Sequence, residues 1–244
     1  MEQDLSISDY KHLVRPEDYK KIVFFTGAGM SAESGVPTYR GKGGTWEKYN
    51  WEKYACQEAF DRNPDKVMDF HEVRRKSVLE CSPHAGHEMI ANLALKKKSE
   101  VRIVTQNIDG MHQRAGSKDV IELHGSLWKL RCPVHGVIED IGHVFTARKC
   151  GKCDNRLRPD IVWFGDSLNR EVIEEGVGAI ATCDLFISIG TSGVVWPAAG
   201  FPEVAKKNGA RCIEINPEPS AMSAMYETTI QGTAGKVLPI LFVP

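Results

Sequence analysis

This 244-residue sequence has no long apolar run, almost no net charge and no pattern of cysteines typical of disulfide-bonded proteins. No stretch approaches the roughly 20 consecutive apolar residues that a membrane helix needs, and segment 1–16 is polar, without the apolar centre of a secretion signal. A formal net charge of −1 provides no general attraction for nucleic acids or anionic membranes. We therefore expect a cytoplasmic protein with no direct nucleic-acid partner and no membrane partner. We also expect a monomer, although neither charge nor composition determines the oligomeric state.

Four of the seven cysteines are scattered singly, so a disulfide framework is not expected in a chain of this length. The other three belong to Cys132-Pro-Val-His135 and Cys150-Gly-Lys-Cys153. Two residues separate the ligands within each pair and 14 separate the pairs, which suits a zinc ribbon with three cysteines and a histidine. We predict a structural Zn²⁺ here, because four protein ligands leave no open position for catalysis. A degenerate site that folds without metal is the alternative.

Short apolar runs alternate with helical patterns through most of the chain. The runs are rich in Val and Ile, as buried parallel strands usually are, and occupy 22–25, 101–105, 120–123, 185–189 and 212–215. Helical patterns occupy 64–80, 83–98, 170–182 and 197–208. This alternation predicts an α/β fold with a Rossmann-like, doubly wound parallel sheet.

Two segments, 42–80 and 128–159, break the alternation. The first has helical patterns without a strand, and the second is rich in loops and contains the cysteine cluster. We predict that together they form a smaller domain, a helical module plus the zinc ribbon. The large nucleotide-binding domain would then consist of 1–41, 81–127 and 160–244. A cleft between two such domains is a common place for a ligand site.

A glycine turn follows the first predicted strand. Residues 27–32, Gly-Ala-Gly-Met-Ser-Ala, fit the G-x-G-x-x-G/A fingerprint of a pyrophosphate-binding turn, in which side chains at Gly27 or Gly29 would hold the main chain away from the ligand. Gly35 and Pro37 interrupt the helix that follows. The chain then enters an irregular loop, 36–46, suited to covering a cofactor. A tight turn without a ligand is the alternative.

Polar residues at two further strand ends lie where α/β sheets bind ligands. Residues 105–110, Thr-Gln-Asn-Ile-Asp-Gly, follow the second clear strand, and His124 follows the next run. The pKa of a histidine suits general-base chemistry near neutrality. Taken singly, segment 105–110 equally fits an Asx-type turn, and His124 alone better fits a structural histidine that donates to a backbone carbonyl.

Taken together and in this order, these segments resemble the sirtuin family. The matching stretches are 26–37 (TGAGMSAESGVP), 39–40 (YR), 105–109 (TQNID), 123–125 (LHG), 159–165 (PDIVWFG), 190–192 (GTS) and 215–216 (IN) before Pro-Glu, so the resemblance covers about 19–239. It implies a Rossmann-like domain with a zinc and helical module, and NAD meeting an acyl-lysine peptide in the cleft. It also implies the products: nicotinamide, O-acyl-ADP-ribose and free lysine.

The resemblance assigns roles residue by residue. His124 is the implied general base, with Asn107 orienting the ribose or a nearby water and Asp109 holding the nicotinamide carboxamide. The implied NAD-binding residues are Gly27, Ala28, Gly29, Ser31, Glu33, Pro37, Tyr39, Arg40, Trp46, Gln106, Asn107, Ile108, Asp109, Gly190, Thr191, Ser192, Asn216, Pro217, Glu218 and Ala234. The residues that would pair with the substrate main chain by β-augmentation are Val162, Trp163, Phe164, Gly165, Val194 and Val195.

Residues 71–74, His-Glu-Val-Arg, bear on the choice of acyl group. The sirtuin branch that removes succinyl, malonyl or glutaryl groups has Tyr-x-x-Arg where this chain has His71 and Arg74. Residues three apart share a helix face, and arginine can grip a carboxylate with two parallel hydrogen bonds. We predict a deacylase that accepts acidic acyl groups and retains deacetylase activity. A solvated Arg74 on a surface helix is the alternative.

Two other functions remain as alternatives. An NAD-dependent protein ADP-ribosyltransferase would use the same cofactor chemistry but would not need His124 as a base. A non-catalytic NAD sensor or zinc-ribbon binding module would not need 106–109 or 124–125 to be intact. Both segments are intact, which favours the deacylase.

Overall fold

The computed structural model describes residues 7–41, 43–96 and 98–242, which contain two β-sheets. The strands are β1 (Lys21–Thr26), β2 (Glu100–Thr105), β3 (Val120–Glu122), β4 (Gly125–Cys132), β5 (Gly136–Glu139), β6 (Arg158–Ile161), β7 (Leu185–Ile189), β8 (Arg211–Asn216) and β9 (Thr228–Gln231). The larger sheet has the order β3-β2-β1-β7-β8-β9, and its neighbouring strands are parallel.

The helices of these ranges are α1 (Gly29–Ala32), α2 (Thr45–Lys48), α3 (Gln57–Arg62), α4 (Pro64–Leu79), α5 (Ala85–Leu95), α6 (Met111–Arg114), α7 (Arg170–Ala181), α8 (Phe201–Lys207) and α9 (Ala234–Leu241). Helix α1 is a single turn, and Gly35 follows it with a φ of +90°. The helical pattern 197–208 divides into a 3₁₀ turn, Ala198–Gly200, and α8. The division falls there because Pro202, which has no N–H, suits the first turn of a new helix.

Apolar side chains on both faces of the large sheet create two cores. In β1, Ile22 and Phe24 belong to a cluster that includes side chains of α5 and α9. Val23 and Phe25 belong to a second cluster, which includes side chains of α7 and α8. Successive strand residues point to opposite faces, so a strand that is buried on both faces must be continuously apolar.

The smaller sheet is antiparallel and has the order β5-β4-β6. Side chains of α3 and α4 join this sheet in a separate core that includes Met68 and Leu130. A buried ion pair connects the helical module with the chain after β5, since Arg75 Nη2 lies 2.8 Å from Asp140 Oδ1. The sheet begins at Gly125 and ends at Ile161, so it reaches slightly beyond the predicted segment 128–159 on both sides.

Strand β1 lies between β2 and β7, at the point where the strand order of the large sheet reverses. In doubly wound sheets the connections from two such neighbouring strands leave toward opposite faces, and a ligand crevice opens at their carboxyl ends. The turns after β1, β2 and β7 therefore meet at one place. No helix in the described part of the chain is long and apolar enough to cross a membrane.

Candidate active site

A cavity of about 970 Å³ lies at the carboxyl edge of the large sheet and extends to the small domain. Its volume is at the upper end of the range for ligand pockets. The residues expected at the site that line this central cavity are Gly27, Ala28, Gly29, Tyr39, Arg40, Trp46, His71, Arg74, Gln106, Asn107, Ile108, His124, Val162, Trp163, Phe164, Gly190, Thr191, Ser192, Val194, Val195, Asn216, Pro217 and Glu218.

The glycine turn after β1 packs against the turn after β7. Gly27 N donates to Ile189 O and Gly29 N donates to Gly190 O, each at 2.9 Å. A Cβ atom at Gly27 would lie 2.7 Å from Gly190 O, and one at Gly29 would lie 2.7 Å from Gly190 Cα. The contact between the two turns therefore requires glycine at positions 27 and 29. The sequence had suggested a different reason, the close approach of a pyrophosphate to the main chain.

Hydrogen bonds across the end of the sheet hold Gln106 and Asn107. Asn107 Nδ2 donates to Gly27 O at 2.9 Å, and Asn107 N donates to Thr105 Oγ1 at 3.0 Å. Gln106 Nε2 donates to Thr191 Oγ1 at 3.3 Å. The turns after β1, β2 and β7 therefore form one connected network in which the amide groups have fixed positions.

His124 follows β3 and lies in the cavity wall. Its Nδ1 is 3.0 Å from Gln106 O. A carbonyl oxygen only accepts, so Nδ1 carries the proton and Nε2 keeps its lone pair. Burial lowers the pKa of His124, the charge of Arg40 lowers it further, and the hydrogen bond to Gln106 partly opposes both. A neutral imidazole with an available Nε2 is the form that a general base needs.

The four predicted metal ligands converge in the small domain. The ligand atoms of Cys132, His135, Cys150 and Cys153 all lie within 4.8 Å of one another. Cys132 Sγ is 3.6 Å from Cys153 Sγ, and Cys150 Sγ is 3.4 Å from His135 Nδ1. Ligands bound tetrahedrally at about 2.0–2.3 Å from zinc stand roughly 3.5–3.8 Å apart, so this set fits a structural Zn²⁺.

Known proteins are similar to this chain in sequence. Residues 27–197 match the Sir2 family. The NAD-dependent protein deacylase 2 of Pyrobaculum aerophilum is 47% identical over 225 residues, which cover 91% of this chain and 90% of that protein. The NAD-dependent protein deacylase of Vibrio vulnificus is 46% identical over 228 residues, which cover 91% and 92%. This chain belongs to the Sir2 family.

Solved Sir2 structures share the fold. A Sir2 homologue variant in complex with ADP-ribose has a TM-score of 0.86 and 37% identity, covering 92% of this chain and 91% of that one. A Sir2 homologue–NAD complex has a TM-score of 0.84 and 38% identity, covering 93% and 89%. A Sir2 protein with a deacetylated p53 peptide and 3′-O-acetyl-ADP-ribose has a TM-score of 0.82 and 27% identity, covering 97% of both. The predicted family and α/β fold are confirmed.

In this Sir2 protein, α4 contributes the far wall of the cavity. His71 is buried and stacks on Trp163, with ring centroids 6.0 Å apart and planes 13° apart. Burial holds the pKa of His71 well below its ordinary value, and the charges of Arg74 and Arg158 lower it further. His71 is therefore neutral at pH 7. Arg74 also lines the cavity and is half-buried, which argues against the solvated alternative.

Asp109 lies behind the cavity wall. Its Oδ1 accepts a hydrogen bond from Met111 N at 2.9 Å. Burial raises the pKa of its carboxyl, while hydrogen bonds from Met111 N and Ser31 oppose the rise. Its carbonyl oxygen accepts from Trp128 Nε1 at 2.7 Å, which ties the turn to β4. In this arrangement Asp109 anchors the turn, and its contact with nicotinamide stays a prediction.

Some expected cofactor or substrate residues do not border the cavity in the described chain: Ser31, Glu33, Pro37, Asp109, Gly165 and Ala234. Glu33 instead accepts hydrogen bonds from Thr233 Oγ1 at 2.7 Å and from Gly235 N at 2.6 Å, so it anchors the start of α9. Ala234, between them, is buried in the core. Their roles toward NAD stay predictions, since the anchoring contacts explain their positions without a ligand.

The structure adds lining residues that the sequence did not single out: Thr38, Gly41, Ala55, Ile161, Asp166, Leu168, Trp196, Pro219, Ser220 and Ala221. Most of them neighbour a predicted residue in the chain, and that proximity is the signal that could have found them. Ala55 has no such signal. It reaches the cavity because its carbonyl oxygen accepts from Phe164 N at 3.0 Å, a contact between segments far apart in the sequence.

Proposed function

We propose that this Sir2 protein removes acyl groups from protein lysine in a reaction that consumes NAD and one water and yields nicotinamide, O-acyl-ADP-ribose and free lysine. The observation that carries the proposal is His124, whose Nδ1–H is committed to Gln106 O while Nε2 remains available in the wall of the central cavity. The glycine turn and the segments expected to bind peptide line the same cavity. The deacylase names of the relatives support the assignment.

NAD supplies the electrophilic ribose carbon and the nicotinamide leaving group. The protein positions the reactants and moves a proton. His124 Nε2 accepts the proton of a ribose hydroxyl, and the bond from Nδ1–H to Gln106 O stabilises the imidazolium that results. The side chains of Gln106 and Asn107 orient the ribose from positions that the turn network has already fixed, so little reorganisation accompanies the reaction.

The zinc ribbon has a supporting role in this proposal. Cys132, His135, Cys150 and Cys153 would hold Zn²⁺ with no open position, so the metal contributes no chemistry to the reaction. It would stabilise the small sheet, whose strand β4 carries the indole that bonds to Asp109 O.

The test is a panel of acetyl-, succinyl- and malonyl-lysine peptides incubated with NAD, with products identified by mass spectrometry. We expect O-acyl-ADP-ribose and free lysine from the wild type, and a loss of about 10³-fold in kcat/KM for His124→Ala, within the range for removal of a general base. Nicotinamide release that requires an acyl-lysine peptide distinguishes this activity from ADP-ribosyl transfer to other side chains. A wild type that deacylates none of the peptides would contradict the proposal.

Acidic acyl groups are part of the proposed substrate range, together with acetyl. The half-buried Arg74 in the cavity wall supports this, because a guanidinium binds a carboxylate strongly. We expect Arg74→Met to lower the succinyl-to-acetyl ratio of kcat/KM by at least about tenfold, the value of one charged hydrogen bond. A succinyl rate that the substitution leaves unchanged would defeat this part.

The same proposal includes the setting of the protein. Its partners are acyl-lysine proteins, without direct contact with nucleic acid or membrane, and the chain works as a cytoplasmic monomer. Cysteines without disulfide partners and a cluster of candidate metal ligands support a reducing compartment. Light scattering on the purified protein would reveal a dimer if the monomer assignment is wrong.

A further inference from the structure

Two hydrogen-bonding side chains from different parts of the chain meet in the wall of the central cavity beside α4. Arg74 comes from α4, and Tyr39 comes from the loop 36–46 that follows the glycine turn. Arg74 Nη2 lies 2.7 Å from Tyr39 Oη. A guanidinium has no acceptor, so Arg74 donates and the phenol oxygen accepts, which leaves the phenol proton available for a further partner.

Arg74 has no anionic partner in the described ranges. Its hydrogen bond goes to the neutral hydroxyl of Tyr39, and its guanidinium also lies over the rings of Tyr39 and Phe70, at 5.1 and 6.0 Å from the ring centroids. Asp109 is close enough for the two charges to interact, but the two residues form no ion pair. A half-buried cation without a carboxylate, in the wall of a ligand cavity, calls for an anion supplied by the ligand.

His71 is poorly placed to be the second charged contact. It is buried and neutral, and neither ring nitrogen makes a hydrogen bond of normal geometry, although the nearby backbone of Tyr54 opposes the lowering of its pKa by burial. Its ring is held flat against Trp163. A neutral imidazole offers one N–H and no charge, so it adds less to the binding of a carboxylate than a group that is bonded directly to Arg74.

Tyr39 is held firmly enough to act as a specific donor. Its ring packs beside that of Trp46, with centroids 5.9 Å apart, and its carbonyl oxygen accepts from Trp46 N at 3.1 Å. The backbone oxygen of the preceding residue, Thr38, accepts from Thr45 N at 2.8 Å. These contacts fix both the main chain and the ring plane, so little rotational freedom is lost when the hydroxyl binds a ligand.

We propose that the Tyr39 hydroxyl is a specificity-determining group that, together with Arg74, binds the terminal carboxylate of acidic acyl-lysine. This inference rests on the proposed function, since it names the residue that selects the acyl group at that site. A tyrosine from the cofactor-side loop thus supplies the phenol that position 71 of α4 does not carry. The acidic acyl group is clamped between two elements, a helix of the small domain and a loop next to the nucleotide turn.

The test measures binding, so that it does not depend on turnover. Dissociation constants of matched succinyl-lysine and acetyl-lysine peptides are determined by calorimetry for the wild type and for Tyr39→Phe, which removes one oxygen and keeps the ring on Trp46. We expect the preference for succinyl over acetyl to fall about tenfold, the usual value of a hydrogen bond to a charged group. Arg74→Met should lower the same preference, and the double variant should lose less than the product of the two losses, because the groups act as a pair.

Tyr49→Phe is the matched control. Tyr49 packs against Phe70 but lies outside the lining of the described cavity, so its hydroxyl should not affect the preference. An unchanged succinyl preference in Tyr39→Phe overturns the inference, as does an equal weakening of both peptides. A wild type that binds the peptides with the expected preference but never deacylates them would instead refute the proposed function and leave the inference standing.

Discussion

Two ends of the central cavity differ in how completely their polar groups are bonded: the turns after β1, β2 and β7, here named the nucleotide end, and the wall formed by α4, here named the acyl end. At the nucleotide end, Asn107 makes hydrogen bonds through its side chain and its main chain, and His124 is bonded to Gln106 O. At the acyl end, the ring nitrogens of His71 have no partner of normal geometry and Arg74 has a neutral one. The groups that we propose position the reacting atoms are thus fixed before a ligand arrives, whereas Arg74, which we propose binds the acyl group, keeps bonding capacity for an anion.

The largest effect on stability is expected from removing the zinc ribbon, because the small domain that it supports contacts both ends of the cavity. Cys150→Ser should abolish metal binding and lower the thermal midpoint by many degrees, because structural zinc sites contribute folding energy directly. Metal analysis and thermal denaturation measure this. Cys81→Ser, at a thiol outside the cluster, is the control and should keep about one zinc per chain. A wild type with well under one zinc and full activity would show that the site is degenerate.

The next effect tests how rigid the nucleotide end is. Gly190 has a φ of +61°, and a Cβ there would lie 2.3 Å from Met30 N. We expect Gly190→Ala to lower the free energy of unfolding by about 3 kcal/mol or more, measured by urea denaturation. Gly178→Ala, in α7 with open space around the new methyl, should instead raise it by up to about 1 kcal/mol. Equal changes in the free energy of unfolding of the two variants would show that the contact between the turns can accommodate a side chain at position 190.

A smaller effect compares the two ends directly. Thr105 Oγ1 accepts from Asn107 N at 3.0 Å and from Thr26 Oγ1 at 2.8 Å. Thr105→Val therefore leaves the buried Asn107 N–H unpaired, while Thr26 Oγ1 keeps its contact with His112 Nε2 at 3.1 Å. Thermal or urea unfolding should show a loss of about 1–3 kcal/mol. Arg74→Met at the acyl end should change stability by less than about 1 kcal/mol, since it removes no carboxylate partner. If Arg74→Met is the more destabilising of the two, the contrast between the ends fails.

The smallest effect is a shift in pH dependence. A base must be neutral, so activity falls as pH drops through the pKa of His124, which burial and Arg40 hold below 6.5. The acid limb of kcat/KM should therefore lie below pH 6.5, and Arg40→Gln should move it to higher pH by removing a neighbouring positive charge. Arg62→Gln, outside the described cavity lining, is the control. A limb that moves to lower pH in Arg40→Gln would contradict the assignment of His124 as the base.

The strands of the large sheet were predictable where both faces are buried. The apolar run 185–189 coincides with β7, in which every residue is buried. Strand β9 escaped prediction because Ile230 is its one buried residue, and β5 escaped because all four of its residues are exposed. A strand without a buried face has no hydrophobic period for the sequence to display.

The candidate site was predictable to the extent that its residues follow strand ends. The turns after β1, β2 and β7 meet because parallel strands bring their carboxyl ends to one edge. Contacts between distant segments, such as Trp128 with Asp109 or Arg74 with Tyr39, have no local signature. They depend on how the small domain sits on the large one, which no spacing along the chain encodes.

By itself, the sequence determined the family, the α/β class and the four candidate metal ligands, because each of these depends on local residue types and their order. The tertiary structure alone decided which nitrogen of His124 is available, why Gly27 and Gly29 must be glycine, and which side chain meets Arg74. These depend on distances between atoms that the chain brings together only after its two cores have packed.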